Sequence, residues 1–197
     1  AQLVCAYIEA RATRPEFMTK FARAASPGFD PDVHLRGIGV ANQTTMLARE
    51  SLAIGEEVGA AMERARGPEA RASDFRTFDT ICSATQERQD AVLELLKEPL
   101  SLMIVIGGFN SSNTISLAAL CAERVPTYHI ESVHGIDPSR RTIHYRRAGI
   151  KHVEAETDDW MPPAGPVRVG LTAGASTPNN KIGDVVLRVL ATRGLSL

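Results

Sequence analysis

The chain has few cysteines: Cys5, Cys82 and Cys121 are odd in number, far apart and without a CxxC pair among 197 residues. No disulfide framework follows from them, and their use fits a reducing cytoplasm. Neither charge dominates, since 22 basic and 23 acidic residues leave a net charge of −1. That balance gives no sign of a nucleic-acid or membrane surface. No apolar run approaches the roughly 18 residues of a membrane span, and the first residues do not read as a signal peptide. Neither the P-loop spacing nor GxGxxG occurs, which argues against an ordinary NTPase or dinucleotide enzyme. No internal repeat or low-complexity tract stands out. Lysine is scarce as well, because Arg supplies most of the basic residues.

What remains is an ordinary globular composition, 44% hydrophobic and 23% charged. A chain of this length buries about 70% of its unfolded surface and needs no staples. It begins at Ala1, within an apolar patch (Leu3, Val4, Cys5, Tyr7, Ile8), and reads like the middle of a protein.

Helical spacing runs from Glu16 to Ala25, and Leu35 to Val40 reads as a short strand. Ala41 to Thr45 then leads into a long helix ending near Arg66, stopped by Gly67-Pro68. Glu69 to Asp74 reads as polar linker, with a domain boundary there: 1–72 and 73–197. Phe75 to Ile81 reads as a strand, and Ser83-Ala-Thr-Gln86 as a capping box opening a helix to about Lys97. A strand at Leu102 to Ile106, a helix through Leu117, Leu120 and Cys121, and a strand at Val125 to Ile130 follow. Residues 131–165 look less regular. Val167 to Thr172 reads as the last strand, and Thr177 as the cap of a final helix with Pro178 in its first position. This alternation calls for α/β architecture, a parallel sheet with helices on both faces in three layers.

Three strand-to-helix turns are rich in small polar residues: Asn42-Gln-Thr-Thr45, Asn110-Ser-Ser-Asn-Thr114 and Gly174-Ala-Ser-Thr177. Each serves as a plain N-cap or as an anion cradle, because a helix N-terminus offers unpaired N–H groups and partial positive charge. In a doubly wound sheet such turns can converge on one edge. None holds a lysine, so a diphosphate would be held by hydroxyls, amides and backbone N–H groups. Cys82, between a strand and a helix start, suits a nucleophile, a metal ligand or a small buried hydrophobe. Cys5 and Cys121 sit in apolar surroundings and read as core. His129, Glu131 and His134 fit no standard metal-ligand spacing. His34, His144 and His152 read as surface, and Trp160 as a packing residue.

Gly39-Val-Ala-Asn-Gln-Thr-Thr-Met46, Thr80-Ile-Cys-Ser-Ala-Thr-Gln-Glu-Arg-Gln-Asp-Ala-Val92, Val105 to Thr114 and Gly170 to Pro178 together resemble the LytB-type 4-hydroxy-3-methylbut-2-enyl diphosphate reductases. The insert around Ser26 to Asp32 is similar to their plant and cyanobacterial branch. The resemblance implies a [4Fe–4S] cluster held by three cysteines, with Cys82 on the third of these positions. It implies diphosphate contacts at Ser111, Ser112, Asn113 and Ser176, and an active-site threonine at Thr44. The implied reaction is reductive dehydroxylation of an allylic diphosphate to isopentenyl and dimethylallyl diphosphate, with ferredoxin or flavodoxin as electron donor. The implied compartment is the cytoplasm of a bacterium, or the plastid stroma of a photosynthetic eukaryote. The family's other two cluster cysteines, its histidines and its proton-relaying glutamate match nothing here. The expectation is therefore a truncated reductase, inactive alone, with part of the second family domain in 1–72 and the third in 73–197. The alternatives are a non-catalytic α/β module that binds diphosphates without a cluster, and, last, a thiol enzyme using Cys82.

Overall fold

Thr13 sets the start of the first well-capped helix in the computed structural model, which describes the chain except Thr45, Asp79, Ile81, 149–152 and Leu197. Its backbone N–H donates to the Glu16 carboxylate at 2.6 Å, and the Glu16 N–H returns to the Thr13 hydroxyl, a reciprocal cap. Helix α2 (Arg14–Phe21) therefore begins before Glu16 and ends well short of Ala25. The apolar patch ahead of it is a helix, α1 (Gln2–Ile8). A short α3 (Pro31–His34) precedes strand β1 (Ile38–Val40). The long helix α4 (Ala48–Arg66) ends at Gly67, whose φ of +89° favours glycine.

The expected linker after Gly67 is instead a helix, α5 (Pro68–Asp74). Pro68 opens it in a position where its missing N–H costs nothing. Arg71 ties it to α4 through ion pairs with Glu56 and Glu63. Strand β2 (Phe75–Thr77) then pairs in parallel with β1, Ile38 opposite Phe75. The strand expected to reach Ile81 is thus short, and Asp79 and Ile81 lie outside the described residues. Because β2 returns to β1, the chain divides into compact units at Ala1–Ile81 and Cys82–Leu197. Cys5, Ile8, Val58, Ala61, Met62 and Phe75 form the first unit's core.

In the second unit, α6 (Ser83–Leu95), β3 (Leu102–Ile106), α7 (Ser112–Ala122) and β4 (Thr127–Ile130) alternate. The stretch expected to be irregular carries β5 (Ile136–Asp137), β6 (Thr142–Arg146) and β7 (Glu154–Thr157), all antiparallel. Strand β8 (Val169–Ala173) and helix α8 (Asn179–Thr192) close the chain. The sheet order is β5-β6-β4-β3-β8, with β7 on β6. Only β4, β3 and β8 are mutually parallel, so the parallel arrangement holds at the centre and gives way to antiparallel strands on one side.

All five residues of β3 are buried, as in a strand covered on both faces. Leu102, Ile104 and Ile106 share a core with Val185 of α8 and with Trp160. Side chains alternate along a strand, so Met103 points to the other face. There, a β-carbon on Gly170 would overlap the Met103 sulfur and come close to Leu95 of α6. Helices therefore cover both faces of the sheet. Trp160 packs as expected, its indole N–H donating to the Arg141 carbonyl at 3.0 Å. Cys5 and Cys121 are core residues, and His34 and His144 lie on the surface; His152 is outside the described residues. No helix among the described residues is long and apolar enough to cross a membrane.

Candidate functional site

Strand β3 ends at Ile106, and the chain turns through Gly107, Gly108, Phe109 and Asn110 into α7. Gly107 has φ +150°, and a β-carbon there would lie 2.7 Å from the Thr114 hydroxyl and 3.0 Å from that of Thr177. Glycine is thus required both by backbone and by space. Ser111 caps α7, its hydroxyl accepting from the Thr114 N–H at 3.4 Å. Ser112 is exposed at the first helical position.

Asn113 is the unusual residue of this turn. It is only 5% exposed, yet neither its Nδ2 nor its Oδ1 has a hydrogen-bond partner among the described residues. The Thr114 hydroxyl is buried and unpartnered too. Leaving a buried polar group unpaired costs about 1–3 kcal/mol. Such groups call for an explanation, and a bound group is one of them.

The neighbouring turn after β8 meets the same place. The Gly174 N–H donates to the Ile106 carbonyl at 2.9 Å, and the Thr177 hydroxyl donates to the same oxygen at 3.2 Å. Thr177 therefore does not cap α8; Pro178 occupies the cap position and Asn179 opens the helix, one residue later than expected. Ser176 is exposed at the tip of this turn. Because β3 and β8 are parallel neighbours, Ser111, Ser112, Asn113 and Ser176 come to one carboxyl-end edge of the sheet.

Cys82 caps α6, displacing the expected capping box by one residue: Ser83 is the first helical residue, and Gln86 bonds Asp90 instead of reaching back. The thiol is exposed. The Thr85 hydroxyl 2.9 Å from its sulfur, followed by the Thr85 backbone N–H, holds its pKa below the usual thiol range. Further along α6, Arg88 donates to the Ala173 carbonyl at 3.2 Å, at the end of β8. Leu95 lies near Gly170, toward the start of β8. Helix α6 thus runs antiparallel to β8, which brings Cys82 to the carboxyl end as well.

Cys5 and Cys121 are buried, and burial pushes the Cys121 thiol up to about 12. They offer no thiolate. No group of three His, Cys, Asp or Glu residues fit to hold a metal occurs among the described residues. Two members of the considered trio are committed elsewhere: the buried His129 donates its Nε2–H to the Gly107 carbonyl at 2.9 Å, and Glu131 accepts from the Phe109 N–H at 3.4 Å. Burial, with the Arg146 charge adding to it, holds the His129 imidazole below its usual pKa and hence neutral. His129, Glu131 and Arg146 brace the 107–110 turn and Arg88 holds the end of β8, and none of these four was assigned that role from sequence spacing.

The turn carrying Thr44 belongs to the first unit. The Asn42 N–H donates to the Thr80 hydroxyl at 2.9 Å, which in turn donates to the Asn42 carbonyl at 2.6 Å. The Asn42 amide donates to the Ser51 hydroxyl at 2.6 Å. Thr44 itself is exposed, and Thr45 lies outside the described residues.

A family model described as LytB protein matches residues 9–190. Over 190 residues the chain is 47% identical to the 4-hydroxy-3-methylbut-2-enyl diphosphate reductase of a Synechococcus strain, covering 96% of this chain and 47% of that protein. Over 194 residues it is 48% identical to the enzyme of the same name from a Nostoc strain, covering 98% and 47%. The chain spans about half the length of the curated relatives it matches. Among solved structures, the E-1-hydroxy-2-methyl-but-2-enyl-4-diphosphate reductase of Plasmodium falciparum aligns with a TM-score of 0.52 at 22% identity, covering 82% of this chain and 42% of that one. At that identity the likeness concerns the fold.

Proposed function

This chain belongs to the LytB family, and we propose that it supplies the diphosphate-binding turns and one cluster cysteine of a 4-hydroxy-3-methylbut-2-enyl diphosphate reductase. The observation that carries the reading is the buried, unpartnered amide of Asn113 at the start of α7. A diphosphate at that helix N-terminus accepts from the Nδ2 of this amide and gains from the helix dipole. The Ser111, Ser112 and Ser176 hydroxyls supply further donors. In this reading Thr44 is an active-site threonine, residues 1–72 are part of the second family domain and residues 73–197 are the third.

Cys82 fits one ligand position of an iron–sulfur cluster, being an exposed thiol of lowered pKa at a helix start. One thiolate does not hold a [4Fe–4S] cluster, so the remaining ligands come from outside residues 1–197. When bound, such a cluster supplies electrons and a Lewis-acidic iron for the departing hydroxyl. Overall, the allylic alcohol takes up two electrons and two protons, its C–O bond breaks, and water leaves while the diphosphate is retained. The residues of this chain hold that diphosphate and so fix the hydroxyl end of the short substrate. The electrons come from ferredoxin or flavodoxin.

The test is anaerobic reconstitution, with iron and sulfide, of the reductase that contains this chain. Cys82→Ser is expected to abolish the iron–sulfur absorbance and the conversion while leaving diphosphate binding intact. An unchanged spectrum contradicts the ligand assignment. Diphosphate binding with no cluster absorbance in the unsubstituted protein means a diphosphate-binding module without redox chemistry.

A further inference from the structure

We propose that His129, Glu131 and Arg146 are positioning residues that orient the peptide groups of the 107–110 turn, making the backbone N–H groups of Gly108 and Asn110 anion donors. The inference rests on the diphosphate reading above and adds main-chain donors to it.

The Gly107 carbonyl accepts from the His129 Nε2–H at 2.9 Å, and the Phe109 carbonyl accepts from the Arg146 guanidinium. Both donors stand side by side on the sheet, since His129 of β4 and Arg146 of β6 are register partners. Both residues are buried, at 2% and 6% exposure, so these bonds are shielded from competing water. The Phe109 ring stacks edge-on against the His129 imidazole, centroids 5.1 Å apart at 88°, which keeps the imidazole in place.

A trans peptide is planar, with its C=O and the following N–H pointing in opposite directions. No cis peptide occurs among the described residues. Turning the Gly107 and Phe109 carbonyls toward the sheet therefore turns the Gly108 and Asn110 N–H groups away from it. The intervening peptide faces the other way: its Phe109 N–H meets Glu131 at 3.4 Å, and its Gly108 carbonyl accepts from the Ser111 N–H at 2.9 Å. Neither the Gly108 nor the Asn110 N–H has a partner among the described residues. Arg146 also takes the Phe109 carbonyl, the acceptor that an extended α7 would use for the Asn113 N–H. Successive outward N–H groups of this kind form an anion-binding concavity. The unpartnered Asn113 amide in the same turn is the independent sign of a ligand.

The experiment is titration of the ¹⁵N-labelled chain with inorganic diphosphate, following the amides of Gly108, Asn110, Ser112 and Asn113. All four resonances are expected to move together. In His129→Leu the Gly108 shift is expected to vanish and affinity to fall about tenfold, whereas His129→Gln, which keeps a donor at similar reach, restores it. Movement of Ser112 and Asn113 with Gly108 and Asn110 unchanged overturns this proposal and leaves the diphosphate reading standing. If none of the four moves, the diphosphate reading fails as well. Should His129→Leu not fold, the unsubstituted chain and His129→Gln still decide.

Discussion

Arg88 reaches across from α6 to the Ala173 carbonyl, so the helix that starts at Cys82 is tied to the strand that ends at the Ser176 turn. Six residues separate Cys82 from Arg88, about 9 Å along a helix. The candidate metal ligand and the candidate anion turns are thus held to one frame by a charge-assisted hydrogen bond. Arg88→Met is expected to lower stability by about 1.5–3 kcal/mol. Urea unfolding checks this; a shifted midpoint at unchanged slope supports the contact, and an unchanged midpoint removes it.

Thr85 sets the acidity of Cys82. Its hydroxyl is the first cause of the lowered thiol pKa, and Val is nearly isosteric but cannot donate. In the chain without metal, alkylation of Cys82 by iodoacetamide should rise with pH to a midpoint below that of a free thiol. Thr85→Val should move that midpoint upward. An identical profile in both proteins contradicts the role of the hydroxyl. Cys5 and Cys121, being buried, should react only on unfolding.

Gly170 has no room for a methyl group. Its β-carbon would overlap the sulfur of Met103, which is fully buried. Gly170→Ala should therefore destabilise the second unit by about 1–3 kcal/mol through overpacking. Combined with Met103→Val, the loss should be smaller than the sum of the two single losses. Strict additivity in thermal unfolding would contradict the packing described.

His129 links stability to acid. Its pKa is held below the usual imidazole value in the fold, chiefly by burial and further by Arg146, with the hydrogen bond to the Gly107 carbonyl and the Glu131 charge opposing. The unfolded chain protonates it near pH 6.5. Stability from this residue is present above that pH and is lost as pH falls toward the depressed folded value, because the unfolded state then binds more protons. His129→Gln should flatten the dependence of melting temperature on pH between about 7 and 5. An unchanged slope would mean that His129 is not buried neutral.

The central strand and the polar turns were legible because β3 is an unbroken apolar run and the turns carry dense capping chemistry. Strands β5, β6 and β7 were not, because they are short and half-exposed, and their order comes from the pairing of β6 with β4 and of β5 and β7 with β6 rather than from their own pattern. Glu69 to Asp74 looked like linker because its polar residues gave no apolar face; its partners are charges on α4. Cap positions slipped by one residue at Ser83 and Thr177. In the second case the hydroxyl is held by the Ile106 carbonyl, a contact 71 residues distant in sequence. The bracing residues escaped for the same reason. His129 and Arg146 meet the 107–110 turn only once β4 and β6 lie side by side.

The measurement that tests the account most directly is the calorimetric affinity of the chain for inorganic diphosphate, compared with Asn113→Ala. Asn113 is buried with its Nδ2 unpartnered, so a bound diphosphate should accept from that amide nitrogen and the substitution should cost about 1.5–3 kcal/mol of binding. Equal affinities in the two proteins, or no binding in either, would contradict the claim that the start of α7 is the diphosphate site.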